Sequence, residues 1–268
     1  MTILLGLICE GGIVIATDTQ GTGDNFSLPS DKISIVNFKG DKTLVAKAGN
    51  CLLSNRTVEI IQEKADDIEL NHPRQLVGLA ESAIRQIRDQ MIDEDQKKWI
   101  AENPFELLLA QCGPYEPSLF LATSLGITNK FEKYYATAGC GAELAECLLN
   151  EFILKPKTVA EAVAVAVYIV GKVKRYDPFC GGPTTIKVAP RISNFPQKEE
   201  GGLSKDGLFK VFDWPQDYVD DLERELAVSE QAGRPKRMEM LSDTLKKIGT
   251  IWWEKHLESN SGASNEQT

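Results

Sequence analysis

The spacing of apolar residues changes period repeatedly along this chain, and that alternation limits the available folds more than any single motif does. Residues 3–9 and 13–18 are β-rich apolar runs divided by Glu10-Gly11-Gly12, which reads as a hairpin closed by a glycine turn. A polar loop is expected over 21–31, then strands over 33–38 and 43–48 joined through Lys39-Gly40-Asp41-Lys42. From about 52 to 69 the pattern is helical. A second helix begins after Pro73, with Leu76, Ala80, Ile84, Ile87 and Met91 marking one face at spacings of three and four. The charged stretch 92–103 reads as a surface loop or a frayed helix end. Strands return over 106–112, 118–123 and 131–137. One helix then starts near Gly141. Another runs over 158–175, opened by Thr158 and Glu161 as a capping box and apolar nearly all round, so that it should be buried between layers. A strand over 184–189 closes the unit. The order is strands, two helices, strands, two helices, strand.

The rest of the chain differs in character. Residues 191–207 form a linker rich in Gly, Lys and Glu. A short strand over 208–212 and helices over about 215–230 and 235–256 follow, carrying Trp214, Trp252 and Trp253. These aromatics either cover the body or pack against a neighbouring subunit. The expected division is a domain over 2–190, an extension over 191–257 and a disordered tail over 258–268.

Several kinds of chemistry are disfavoured. The net charge is −9 and no basic face is evident, which argues against nucleic-acid binding. The six cysteines form no CxxC pair and the chain has only two histidines, His72 and His256, so neither zinc-finger spacing nor a Ser-His-Asp or Cys-His system is present. No phosphate loop is visible. Reduced thiols suit a cytosolic location. The opening apolar run is short, lacks preceding basic residues and soon meets Glu10, unlike a signal peptide. No run approaches the roughly 20 apolar residues of a membrane span.

One possible chemistry begins at residue 2. Removal of Met1 would leave Thr2 with a free α-amine and a hydroxyl on one residue, and the amine can act as base for the hydroxyl. An α-amine titrates at roughly 7.7–8.0, close to working pH, where a general base is most effective.

Taken alone, a threonine at position 2 says little, but its surroundings resemble the start of mature proteasome β subunits. The matching residues are Thr2, Gly6, Gly11-Gly12, Ala16-Thr17-Asp18 and Thr22. Asp31-Lys32-Ile33 stands where the family has its lysine, about two residues early. Ala48-Gly49 opens the first helix. Ala138-Gly139-Cys140-Gly141 is similar to the family's Gly-Ser-Gly-Ser, and Tyr176-Asp177-Pro178-Phe179-Cys180-Gly181-Gly182 to its Asp-x-x-Ser-Gly-Gly. The resemblance covers about residues 2–190 and is nearest to the propeptide-free bacterial type. It implies a four-layer αββα sandwich of the N-terminal-nucleophile (Ntn) hydrolase class, α+β by composition of elements.

The resemblance also implies roles. Thr2 would be the nucleophile of a threonine endopeptidase. Lys32 would lower the pKa of its hydroxyl, and Asp18 would pair with Lys32 and fix it. Gly49 would offer its N–H to the oxyanion, Asp177 would orient the Thr2 amine, and Thr22 would pair with substrate backbone as an added strand. Lys47, at the floor of the specificity pocket, would favour acidic or small polar side chains before the cut. No metal or cofactor is implied. The implied substrates are peptides or unfolded proteins, processed inside a homo-oligomeric ring; whether an ATPase feeds it is left open.

Cys140 and Cys180 stand where the family has serines that bond the threonine amine. Thiols bond more weakly and at longer range, so the amine would be less well oriented. Alternatively both are small buried residues, or a thiol pair sensitive to oxidation. Two rival readings follow: an amidohydrolase of the same fold acting on a small amide, and a catalytically silent structural or assembly subunit.

Overall fold

The computed structural model describes residues 2–23, 26–39, 41–70, 72–90, 93–112, 116–126, 128–130, 134–150, 155–191 and 212–229. The predicted hairpin is β1 (Ile3–Cys9) and β2 (Gly12–Asp18). Next come β3 (Gln20–Gly23), β4 (Phe26–Pro29), β5 (Ile33–Phe38) and β6 (Asp41–Gly49). Helices α1 (Cys51–Ala65), α2 (Pro73–Asp89) and α3 (Glu94–Glu102) follow. Then β7 (Phe105–Gln111), β8 (Ser118–Thr123), β9 (Thr128–Lys130) and β10 (Tyr135–Gly139) lead to α4 (Ala142–Leu149) and α5 (Val159–Tyr176). The described chain ends with β11 (Thr184–Pro190), β12 (Phe212–Asp213) and α6 (Gln216–Ser229).

Two antiparallel five-stranded sheets form the centre, one ordered β10-β1-β2-β11-β12 and the other β5-β6-β7-β8-β9. Their apolar side chains alternate between two core layers each. On β1 and β2, Ile3, Leu5, Leu7, Val14 and Ala16 pack with α4, α5 and α6, while Leu4, Ile13 and Ile15 face the other sheet. On β6 and β7, Val45, Leu107 and Leu109 pack with α1 and α2, while Leu44, Ala46, Leu108 and Ala110 complete the inter-sheet core. Three cores thus separate four layers, and the fold is the αββα sandwich.

Local chemistry sets the helix limits. The Asn50 side chain accepts from Leu53 N at 3.1 Å and starts α1. The helix stops at Ala65, short of the expected 69, because Asp66 and Asp67 would place negative charge at its C-terminus. On α2, Leu76, Ala80, Ile84 and Ile87 are buried as the spacing requires; Met91 lies outside the described residues. The Thr158–Glu161 capping box forms, and α5 is buried on nearly every side, resting on β1, β2 and β11 with α4 and α6 beside it.

Three expectations need correction. The polar loop over 21–31 contains the β3–β4 ribbon, with Thr22 opposite Ser27. Such a pair is held by backbone hydrogen bonds, which leave no mark on side-chain periodicity. The charged stretch 92–103 contains the helix α3; its Lys, Glu, Gln and Ala favour helix intrinsically, and Lys98 pairs with Glu102 one turn on at 3.7 Å. The strand expected over 131–137 is β10, shifted to Tyr135–Gly139 and paired with β1, and the preceding β9 (Thr128–Lys130), which was not expected, pairs with β8 in the other sheet.

The described part of the extension packs on the body. Trp214 is 4% exposed within the helix-side core, its backbone N donates to Ile186 O at 3.0 Å, and β12 adds to the edge of β11. Glu223 of α6 accepts from Lys174 Nζ at 2.7 Å and from Thr184 Oγ1 at 2.5 Å. Trp214 therefore covers this chain's own body; Trp252, Trp253 and the helix expected over 235–256 lie outside the described residues.

Two predictions follow from the packing. Trp214→Ala should lower stability by about 3–5 kcal/mol, read by urea unfolding, because it empties a core site. Asp41 is buried at the start of β6; its Oδ1 accepts from Lys42 N at 2.6 Å, its Oδ2 has no hydrogen-bond partner among the described residues, and burial raises its pKa from 3.8 to about 6. A folded-state pKa above the unfolded one gives stability that is full below about pH 4 and is lost as pH rises through about 6. Asp41→Asn should remove that pH dependence and stabilise the protein at pH 7 by roughly 2–3 kcal/mol, measured by paired unfolding titrations at both pH values.

Candidate active site

The start of β1, the end of β2 and the residue preceding β5 meet at one end of the sandwich and bring Thr2, Asp18 and Lys32 into contact. These residues are 2%, 0% and 7% exposed. Lys32 Nζ donates to Asp18 Oδ1 at 2.8 Å and to the carbonyl of Gln20 at 2.7 Å. It also donates to the Thr2 hydroxyl, which in turn donates to Asp18 Oδ1. The hydroxyl is therefore held between a cation and a carboxylate.

The carboxylate is satisfied on both oxygens. Oδ1 also accepts from Ile3 N at 3.1 Å, and Oδ2 accepts from Gly181 N at 3.0 Å. Burial lowers the pKa of Lys32, while Asp18 beside it acts in the opposite direction. A lysine so placed gives up its proton more readily than one in water and still carries charge to the threonine oxygen.

A second group of residues reaches Thr2 from the other side. Gly139 ends β10 with φ +86°, and a Cβ there would lie 2.2 Å from Thr2 O, so no other residue allows this approach. Cys140 follows, and its thiol donates to Thr2 O at 3.3 Å. Cys140 Sγ lies 3.6 Å from Cys180 Sγ, whose thiol donates to Asp177 Oδ2 at 3.6 Å. Asp177 caps the end of α5, and its Oδ1 accepts from Phe179 N at 2.9 Å. Asp177 is thus joined to Thr2 through the two thiols. Burial raises the pKa of both cysteines, and for Cys180 the neighbouring Cys140, Asp18 and Asp177 add to the effect, so the pair is in the thiol form at neutral pH. The expectation of two buried residues holds for Cys180 but not for Cys140, which is exposed.

Lys47 and Gly49 lie along β6 next to this centre. Lys47 N donates to Lys32 O at 2.8 Å, and Lys47 Nζ donates to Asn55 Oδ1 of α1 at 2.9 Å. Burial lowers the pKa of Lys47, with Asp31 opposing the change. Gly49 adopts φ +83°, and a Cβ there would lie 2.2 Å from Pro104 O. Thr22 is on β3, two residues beyond the Gln20 whose carbonyl accepts from Lys32.

Three further contributors had no role expected of them, although Gly181 stands in the matched motif. Gln20 and Gly181 act through backbone atoms, which any residue carries. Glu106 Oε2 accepts from Gly139 N at 2.6 Å and so ties the second sheet to the turn carrying Cys140. Its signal was available: it is the one charged residue in the apolar run 105–111.

Among the described residues no helix is long and apolar enough to cross a membrane. The solved structures similar to this chain include Anbu, the ancestral β-subunit, from Yersinia bercovieri, at 14% identity and TM-score 0.65, covering 87% of this chain and 98% of that one. A Gly-1 mutant of Anbu from Hyphomicrobium sp. strain MC1 matches at 15% identity and TM-score 0.65, covering 86% and 95%. The helical assembly of the Anbu complex from Pseudomonas aeruginosa matches at 16% identity and TM-score 0.67, covering 85% and 94%. A search of curated proteins found no match. The family model described as proteasome subunit matches residues 2–189, and the chain belongs to the proteasome subunit family.

Proposed function

We propose that this protein is an N-terminal threonine endopeptidase, with Thr2 as nucleophile once Met1 is removed. The observation that carries the reading is the Thr2 hydroxyl held between the Lys32 ammonium and the Asp18 carboxylate in a buried site. The freed α-amine takes the hydroxyl proton as Thr2 Oγ1 attacks the peptide carbonyl. Lys32 stabilises the developing alkoxide, and Asp18 holds Lys32 in place. The oxyanion forms next to the Gly49 N–H, at a backbone conformation that excludes a side chain. The amine then protonates the departing nitrogen, and water hydrolyses the ester in the reverse sense.

Substrate would lie as an added strand along the side of β3 opposite β4, near Thr22, and beside β6. Lys47, held by Asn55, favours an acidic or small polar side chain before the cut. Cys140 and Cys180, with Asp177, orient the amine in place of hydroxyls. The chain works as a homo-oligomer, as the named Anbu complex from Pseudomonas aeruginosa assembles, in the cytoplasm and without a cofactor. The domain proper is 2–190, with 191–257 as an extension.

The Cys140 thiol donating to Thr2 O favours a second reading, a silent assembly subunit. An epoxyketone probe, which joins both hydroxyl and amine of an N-terminal threonine, separates the two. The endopeptidase adds the probe at Thr2 in a chain whose intact mass shows loss of Met1; a chain that keeps Met1 or rejects the probe is the silent subunit. In peptide hydrolysis Thr2→Ala should fall to background, and Lys32→Ala should lose about 10²–10⁴-fold in kcat/KM. A fluorogenic panel should prefer acidic over large apolar residues before the cut, and Lys47→Ala should reduce that preference by about 10-fold or more.

A further inference from the structure

We infer that Cys140, Cys180 and Asp177 form a binding site for a thiophilic divalent cation such as zinc. The two sulfurs lie 3.6 Å apart, Cys180 Sγ lies 3.6 Å from Asp177 Oδ2, and all three ligand atoms fall within 4.8 Å of one another. A tetrahedral zinc, with Zn–S about 2.3 Å and Zn–O about 2.0–2.2 Å, sets two sulfurs about 3.8 Å apart and a sulfur and an oxygen about 3.5 Å apart. Two edges of one face of such a tetrahedron are therefore already close to the required spacing, and the third, from Cys140 to Asp177, is no longer than 4.8 Å, so it closes with a small side-chain rotation. Two carbon-bound hydroxyls in the same positions would not select a soft metal; two thiols do.

The backbone supports this arrangement. Asp177 and Cys180 are three residues apart on one turn, where Cys180 N donates to Asp177 O at 3.1 Å. Phe179 N on Asp177 Oδ1 leaves Oδ2 turned toward the sulfur. Cys140 enters from the opposite turn and is exposed, so a cation has access from solvent. Binding releases one proton from each thiol to solvent and leaves two thiolates, one carboxylate and a divalent cation. The fourth position is open to water.

Where Thr2 works as proposed above, zinc sits against the residue that carries the base, since Cys140 Sγ lies 3.3 Å from Thr2 O, and it then inhibits the peptidase reversibly. That consequence rests on the proposed function; the site itself does not.

The test is cobalt titration of the full chain under a phosphine reductant, followed by zinc competition. The expected result is one cobalt per chain, a sulfur-to-cobalt charge-transfer band, and loss of the band on adding zinc. Cys140→Ser and Asp177→Asn should each weaken binding by on the order of 100-fold. A Cys51→Ser/Cys147→Ser double variant should keep the band, as should Thr2→Ala. Cys9 and Cys112 are buried thiols pushed up to about 11 and about 12 and stay in every variant. A missing band, or a band that survives in the exposed-site variant Cys140→Ser, overturns the site. A band in a chain that fails the epoxyketone test keeps the metal site and removes only the inhibition.

Discussion

A buried ion pair governs this end of the molecule. Lys32 and Asp18 are almost fully enclosed, and two charges taken out of water are costly unless their remaining hydrogen-bonding capacity is filled. Here it is filled by Thr2, Gln20, Ile3 and Gly181. These partners come from the start of the first strand, the first residue of β3 and the turn before β11, so the pair can be satisfied only when all three segments are in place. The same requirement that stabilises the pair delivers a threonine hydroxyl to a lysine.

The sandwich supplies the rigidity behind it. β1 and β2 are apolar on both faces because each faces a helix layer on one side and the second sheet on the other. A one-residue slip of β1 against β2 would exchange these two sets and move Thr2 off the register that places it near Asp18. Strand register in the core thus fixes geometry at the sheet's end. Glu106 extends the control to the other sheet, since its carboxylate holds Gly139 N across the inter-sheet gap.

Much of this was legible in the residues and some was not, for physical reasons. Elements that bury a face carry their period in the sequence, as α2 does with Leu76, Ala80, Ile84 and Ile87. Capping chemistry was equally readable in Thr158 and Glu161. The β3–β4 ribbon was not legible because backbone pairing leaves side-chain pattern untouched, and β9 because three residues are too few to show a period. At the site, Thr2, Asp18 and Lys32 were legible as a constellation before their contact was visible. The contacts of the Gln20 carbonyl and the Gly181 amide were not, because a carbonyl and an amide have no residue type.

That asymmetry bears on how a 14–16% identical chain keeps the same fold. The site is held largely by backbone atoms and by glycines that permit close approach, at Gly49 against Pro104 and Gly139 against Thr2. Side chains may vary where they only pack, provided volume and alternation persist. They are constrained where a charge must be satisfied or a Cβ would collide. Cys140 and Cys180 fall between these cases: cysteine is close to serine in size, so tight turns accept either, but its larger and softer sulfur changes what the pocket can hold. The fold therefore tolerates thiols there while the chemistry open to the groups around Thr2 differs from that of hydroxyls.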